Sequence, residues 1–461
     1  MVTFSSLDLI IIFSFFGIVL LIGFFSGGKE NNTADGYLLS GRKVGLFLFI
    51  LTNVSTWYGG ILGVGEFTYR YGILSWVTQG LPYYFFAILF AIFFASKIRN
   101  SSLFTIPDKL EEVYGKKVGL LSAVIIFILV SPAPYLLMVG NLISLIFNIN
   151  IFWSLLIGIV LSTSYLFVGG YKSDLLTDAF QFFVMFAGFI VIIIVSASDF
   201  GGADYLINNL PKSHLEFTGG ASIVYVIVWF LIALWTFTDP GFHQRCYAAK
   251  DGKTAKWGII ISVFLWFGFD FLTNTTGLFA RASLPNLDNP VLAFPVYAEK
   301  VLGSGFKGIF YAALFATILS TLNSFLFLSA TTFGRDFIFK LKKEKNDKNI
   351  KKYTQVGLIV SSVVAVILGI LFTSVINIWY TIGSICIPGI ILLIFGAYFE
   401  KYKVSNKTAF YEIIISILAS LVWLVIRPGF SNVYILSDIE PMIMGLITAV
   451  GIHLFNLKGN N

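Results

Sequence analysis

Apolar positions divide the chain into thirteen runs, each long enough to cross a hydrocarbon core of roughly 30 Å at about 1.5 Å per residue. They cover 7–25, 46–71, 74–96, 118–146, 151–168, 174–196, 221–246, 257–280, 306–333, 355–373, 375–398, 410–426 and 440–457. Two runs are interrupted by helix-unfriendly residues. The second holds Asn53, Ser55, Thr56, Gly59, Gly60, Gly63 and Gly65, and the seventh holds Thr236, Thr238, Asp239, Pro240 and Gly241. An unpaired backbone group in hydrocarbon costs several kcal/mol, so a helix breaks at membrane depth only where protein or a polar cavity surrounds it.

The two interruptions stand five runs apart. Without the first run, runs two to six (44–196) and seven to eleven (221–398) form two blocks that each open on a broken helix. An odd number of spans per block inverts one relative to the other, the pattern of a five-plus-five inverted repeat whose solute site lies at the breaks. The runs 7–25, 410–426 and 440–457 are then peripheral to a single membrane domain spanning 1–461. Met1 to Phe25 lacks a basic leader and a convincing cleavage site, and is expected to stay as the first helix.

Charge placement orients this chain. With the N-terminus outside and the C-terminus cytoplasmic, 25 of the 31 Lys and Arg fall on the inner side; Arg70, Lys212, Arg281, Lys300, Lys307 and Arg427 fall outside. The same placement accounts for the net charge of +7 without a nucleic-acid partner. The longest inner connection, Gly334 to Thr354, is expected to be a short loop. The outer connection Arg281 to Gly305, with its three prolines, is expected to fold partly over the entrance. A 57% hydrophobic content and a mean hydropathy of +0.86 exclude a soluble domain of this length and place the chain in a cell membrane. Cys246 and Cys386 lie in or beside apolar runs, where packing suits them better than a disulfide. His214, His243 and His453 are scattered, and no nucleophile with a base or metal-ligand spacing appears, so an enzyme is not expected.

The ninth run concentrates hydroxyls at its middle: Thr317, Ser320, Thr321 and Ser324. A dehydrated Na⁺ needs several oxygens at once. Ser320 and Thr321 offer side-chain oxygens, Thr317 a carbonyl one turn earlier, and Leu51 and Val54 carbonyls at the first break. The competing reading is that these hydroxyls bond back to their own helix.

The stretch Gly169-Gly170-Tyr171-Lys172-Ser173-Asp174-Leu175-Leu176-Thr177-Asp178-Ala179-Phe180-Gln181 resembles the signature of the sodium:solute symporter family. So do Gln244-Arg245-Cys246-Tyr247-Ala248-Ala249-Lys250, the Tyr37 to Arg42 approach, and Ser320-Thr321 followed by Asp336. The resemblance implies an all-α, LeuT-like fold of about thirteen helices and uptake of a small solute with Na⁺ as the co-transported ion. It places Leu51, Val54, Thr317, Ser320 and Thr321 on the family's sodium site and Asp178 on its cytoplasmic sodium exit. Asp178 also has a structural reading, a carboxylate in the first turn of a helix. Arg245 is read as structural or gating, at the C-terminal end of its helix.

By the same resemblance the solute faces Trp57, Tyr58, Gln79, Trp235, Thr236, Asp239, Pro240 and Trp266. Trp266 and Tyr58 replace polar sugar partners of sugar-transporting members, which disfavours a sugar. Pro240 matches a proline of the proline-transporting members, while Asp239 replaces their glutamine, and Thr56-Trp57 followed by Gly59-Gly60 resembles the choline-transporting branch. A buried carboxylate among aromatics suits an amino acid or quaternary amine, although such rings also pack together in a chain this rich in them. Glu66 and Asp270 are further acids inside apolar runs, Asp270 either facing the cavity or pairing with a hydroxyl. Proton coupling through Asp178, Asp239 or Asp270, and a sensor or receptor without net transport, are the competing functions.

Overall fold

The computed structural model describes residues 2–27, 32–342, 348–372, 375–430, 436 and 439–457, excepting the side chains of 348 and 375–380. Among them, 10 helices are long and apolar enough to cross a membrane, and the bent pair Leu46–Tyr58 and Ile61–Tyr71 makes one more span. Two shorter apolar helices, Ile151–Thr163 and Pro441–Leu457, fall on the remaining runs. Boundaries differ from the hydropathy reading where polar turns sit inside apolar sequence. The run 118–146 is two helices, Lys116–Leu129 and Ala133–Phe147, parted at Ser131-Pro132 because proline cannot continue the hydrogen-bond ladder.

The run 174–196 begins earlier, as Leu166–Phe200, with a kink at Gly170. Gly170 has φ +57 and packs on Tyr37, where an added Cβ would lie 2.6 Å from a ring atom. Asp178 therefore sits two turns beyond the kink and not in a first helical turn, and the helix-terminus account of it falls away. The connection Gly334 to Thr354 is shorter than a loop reading allows. A π-helix runs to Phe339 and a helix starts at Lys348, since lysine-rich turns extend helices well once they leave the bilayer. Residues 343–347 lie outside those described.

The inversion is visible in how the two interrupted spans lie. Val44, before the start of the second span, pairs with the end of the seventh: its N–H donates to the Ala248 carbonyl at 3.1 Å, and the Lys250 N–H donates to the Val44 carbonyl at 2.9 Å. At the other end Tyr71 meets Tyr225, with ring centroids 6.5 Å apart. The two spans are antiparallel neighbours. One end of the molecule, the Ser6 face, thus carries Tyr71, Ile223 and Phe306, and the Phe25 face carries Leu46 and Ala248.

Phe306–Thr331 is the central post, with 94% of its most apolar stretch buried, and Leu166–Phe200 packs along it. Their contact is close because Gly188 meets Ala313; a Cβ on Gly188 would lie 2.3 Å from that of Ala313. The first helix is pinned to the same post. Asp8 Oδ1 accepts 2.8 Å hydrogen bonds from the Gly305 and Gly308 N–H groups. On the Ser6 face, the Ala293–Val301 helix packs on the second span, where buried Phe294 covers Gly65, so the connection expected to cover the entrance does fold back.

Replacing Gly188 by Val should lower stability by about 1–3 kcal/mol through overpacking at this crossing. Thermal unfolding in detergent checks it, and an unchanged midpoint would contradict the packing described.

Candidate ion and solute sites

The first break is built in steps. The helix Leu46–Ser55 tightens to a 3₁₀ turn at Thr56–Tyr58, passes Gly59-Gly60, and resumes as Ile61–Tyr71 with a bend of 57°. The second break is gentler. Ile223–Ile232 tightens to a 3₁₀ turn at Ala233–Phe237, and Asp239 caps the helix Pro240–Ala248, all within one 26-residue span. Proline at the first helical position suits this restart, because its missing N–H has no partner there anyway.

The middle of the central post lies against the first break. The Ser320 hydroxyl donates to the Ser55 carbonyl at 2.9 Å and is 3.0 Å from the Thr317 carbonyl. The Thr321 hydroxyl donates to the Thr56 carbonyl at 2.7 Å and is 3.5 Å from the same Thr317 carbonyl. Five oxygens converge here, all buried, with no side-chain nitrogen among them. The back-bonding reading is therefore half of the picture, since each hydroxyl also crosses to the broken helix. Leu51 and Val54 are buried beside the cluster, but the carbonyls that meet the hydroxyls are those of Ser55 and Thr56; the Val54 carbonyl accepts from the Thr56 N–H. Thr317 gives its own hydroxyl to Ala313. Gly59 is what lets the break approach, since a Cβ there would lie 2.3 Å from that of Thr321.

Toward the Phe25 face lies a buried polar network. The Thr56 hydroxyl donates to Asp178 Oδ2 at 2.9 Å, and Arg245 Nη2 donates to the Thr56 hydroxyl at 2.5 Å and lies 3.7 Å from Asp178. Arg245 also reaches Ser324 at 3.4 Å, and Ser324 donates to Asp174 at 2.7 Å. One oxygen of each aspartate, Oδ1, is buried without a hydrogen-bond partner. Asp174 and Ser324 stand in the sequence only as members of the family-like stretch and of the hydroxyl-rich run, with no role assigned, although Asp174 lies one helical turn before Asp178. Further out, the Tyr247 and Tyr398 hydroxyls meet at 3.0 Å, closing the Phe25 end. Asp108 on the helix Ile106–Tyr114 grips Arg335 and Lys340 at 2.5 and 2.8 Å. Burial alone would raise the Asp108 carboxyl, but those two cations hold it well below the usual carboxylate range.

On the other side of the break is a cavity of about 220 Å³. Trp57, Tyr58, Gln79, Trp235 and Asp239 line it, together with Tyr83, Phe67, Tyr135, Trp229, Phe325, Asp270, Ser384 and Met442. Thr236, Pro240 and Trp266 do not. Thr236 turns its hydroxyl to the Ala233 carbonyl, Pro240 is buried at the helix start, and Trp266 lies behind Trp57, their rings stacked at 4.9 Å. Tyr83 was recoverable from sequence, one helical turn after Gln79. Met442 was not, because its helix reads as peripheral. Gly60, Gly63, Val64 and Phe67 carry the lining toward the Ser6 face. Asp239 accepts from the Phe242 N–H at 2.9 Å and from Trp235 Nε1 at 3.1 Å. Glu66 lies apart, paired with Arg70 at 3.0 Å.

A bent, glycine-opened helix whose backbone meets buried hydroxyls, beside an aromatic cavity between inverted halves, defines a secondary transporter that couples an ion to a solute. The family model "Sodium:solute symporter family" matches residues 37–432, and the chain belongs to that family. It is 24% identical to sodium/proline symporter 2 of Staphylococcus saprophyticus, over 96% of this chain and 90% of that one. It is 26% identical to the sodium/pantothenate symporter of Haemophilus influenzae, with 79% of each covered, and 23% identical to the human high affinity choline transporter 1, over 81% and 69%. The fold is similar to that of a Na⁺-coupled sialic acid symporter in a substrate-bound outward-open state, with a TM-score of 0.80, 17% identity and coverage of 99% and 98%. These likenesses make the fold LeuT-like and the protein a multi-pass, sodium-coupled transporter of a small solute, not an enzyme.

Gly59→Ala should raise the sodium concentration for half-maximal thermal stabilisation about tenfold or more, because the added methyl displaces Thr321. Gly45→Ala, which meets nothing within 4 Å, should leave it unchanged. Equal sodium titrations for both variants would refute the placement of the ion.

Proposed function

We propose that the co-transported solute carries a cationic nitrogen, as an amino acid or a quaternary amine does. One observation carries this reading. Among the described residues the cavity lining holds two carboxylates, Asp239 and Asp270, and no Lys, Arg or His, so an anionic solute would find no counter-charge from them. The rings of Trp57, Tyr83, Trp229 and Trp235 add a π surface that attracts a cation. The named solutes of two relatives, proline and choline, share that nitrogen; those of two others, pantothenate and sialic acid, are carboxylic acids that lack it.

The sodium ion takes the hydroxyls of Ser320 and Thr321, the Thr317 carbonyl, and carbonyls from the stretch Leu51 to Thr56, including those of Leu51 and Val54. Supporting this is the convergence of oxygens at the break, where an ion would take the place of the hydroxyl-to-carbonyl bonds as each O–H turns its lone pairs inward. Asp178 then accepts the ion on its way to the Phe25 face, with Arg245 as the cation that releases the carboxylate when it arrives. The excess of Lys and Arg on that face supports its being cytoplasmic, with the N-terminus outside.

A thermal-shift screen of choline, glycine betaine, L-proline, pantothenate and sialic acid, each with sodium or potassium, tests the solute class. Stabilisation by a nitrogen cation or zwitterion in sodium only is the expected result. Stabilisation by pantothenate or sialic acid alone would overturn it.

A further inference from the structure

The two carboxylates of the cavity are not equivalent. Asp239 caps the restarted helix Pro240–Ala248: Oδ1 accepts the Phe242 N–H and Oδ2 accepts Trp235 Nε1. Both of its oxygens are engaged, and the positive end of the helix lies against it. Removing Asp239 would loosen the second break before it affected any solute. Asp270 sits on an uninterrupted helix, Gly252–Ser283, where its charge does no capping. The Tyr84 hydroxyl donates to Oδ2, and the Tyr58 hydroxyl, which donates to the Trp266 carbonyl at 2.8 Å, also lies against the carboxylate. Gly80 leaves the space into which the carboxylate fits, since a Cβ there would lie 2.9 Å from Oδ2. One turn earlier on the same helix, Trp266 backs the stacked ring of Trp57, so Asp270 stands beside the aromatic wall.

Building on the proposed cationic solute, we propose that Asp270 is the specificity-determining residue that holds the nitrogen, and that Asp239 is a positioning residue that keeps the second break in shape. A carboxylate on the cavity wall that caps no helix can accept a charge-assisted bond from an ammonium or lie against a methylated nitrogen. Tyr84 fixes its rotamer from the side away from the solute. The solute's charged end thus lies between Trp57 and Asp270, and the rest of it extends toward Phe67 and Trp229.

The test compares each nitrogen compound with the carbon isostere that lacks its positive charge: choline with 3,3-dimethyl-1-butanol, and L-proline with cyclopentanecarboxylate. Half-maximal concentrations are read from thermal-shift titrations in sodium, using the full chain in detergent. Wild type should prefer the nitrogen compound of at least one pair. Asp270→Asn should reduce that preference about tenfold or more, Asp270→Glu should restore part of it, and Asp239→Asn should weaken both members of the pair alike. Each variant must keep the shift given by sodium alone, which reports folding. Gly80→Ala moves the carboxylate without removing its charge, so if Asp270→Asn does not fold, this variant should lower affinity for the nitrogen compound and spare the isostere. Preference lost in Asp239→Asn and kept in Asp270→Asn overturns the assignment while leaving the cationic solute intact. No preference in wild type overturns the cationic solute itself, and the assignment with it.

Discussion

Everything in this molecule depends on how a helix broken in the middle of a bilayer satisfies its backbone. At the first break the helix tightens to a 3₁₀ turn, and the hydroxyls of Ser320 and Thr321 donate to the Ser55 and Thr56 carbonyls there. That solution works only with Gly59 at the contact and a central post buried on all sides. It also leaves the oxygens interchangeable between two partners, hydroxyl protons or a small hard cation. The polar cluster that makes the break tolerable is thus the cluster that makes it useful, which is why discontinuous helices mark binding sites in transporters.

The break also joins three functions through consecutive residues. The Thr56 carbonyl accepts from the Thr321 hydroxyl, its own hydroxyl faces Asp178 and Arg245, and Trp57 and Tyr58 line the cavity. With the proposed sodium site here, an ion that drew in the backbone would shift Trp57 at the same time, and any resulting coupling between ion and solute affinity would be reciprocal. The second break contributes differently. It bends less, and its Asp239 caps the restarted helix that carries Arg245 to within 3.7 Å of Asp178.

The spans, their inverted order and the hydroxyl cluster were legible in the sequence because membrane thickness and backbone satisfaction act on composition directly. What sequence left out were features set by side-chain direction. Trp266 falls on the expected helix but packs behind Trp57, and Thr236 turns back to its own carbonyl. The helix-start reading of Asp178 failed because the helix Leu166–Phe200 continues through the polar gap between two apolar runs, with only a kink at Gly170. Asp270 stood open between facing the cavity and pairing with a hydroxyl, and it does both. Met442 and Trp229 join the cavity from helices whose sequences carry no polar mark.

The central claim is that Ser320 and Thr321, bridging to the first break, form the sodium site. The most direct measurement is the sodium dependence of solute uptake by proteoliposomes carrying the Ser320→Ala, Thr321→Ala double variant beside wild type. Loss of sodium stimulation in the variant, with folding retained in its melting profile, is the result this account predicts. An unchanged half-saturating sodium concentration in a folded variant would contradict it.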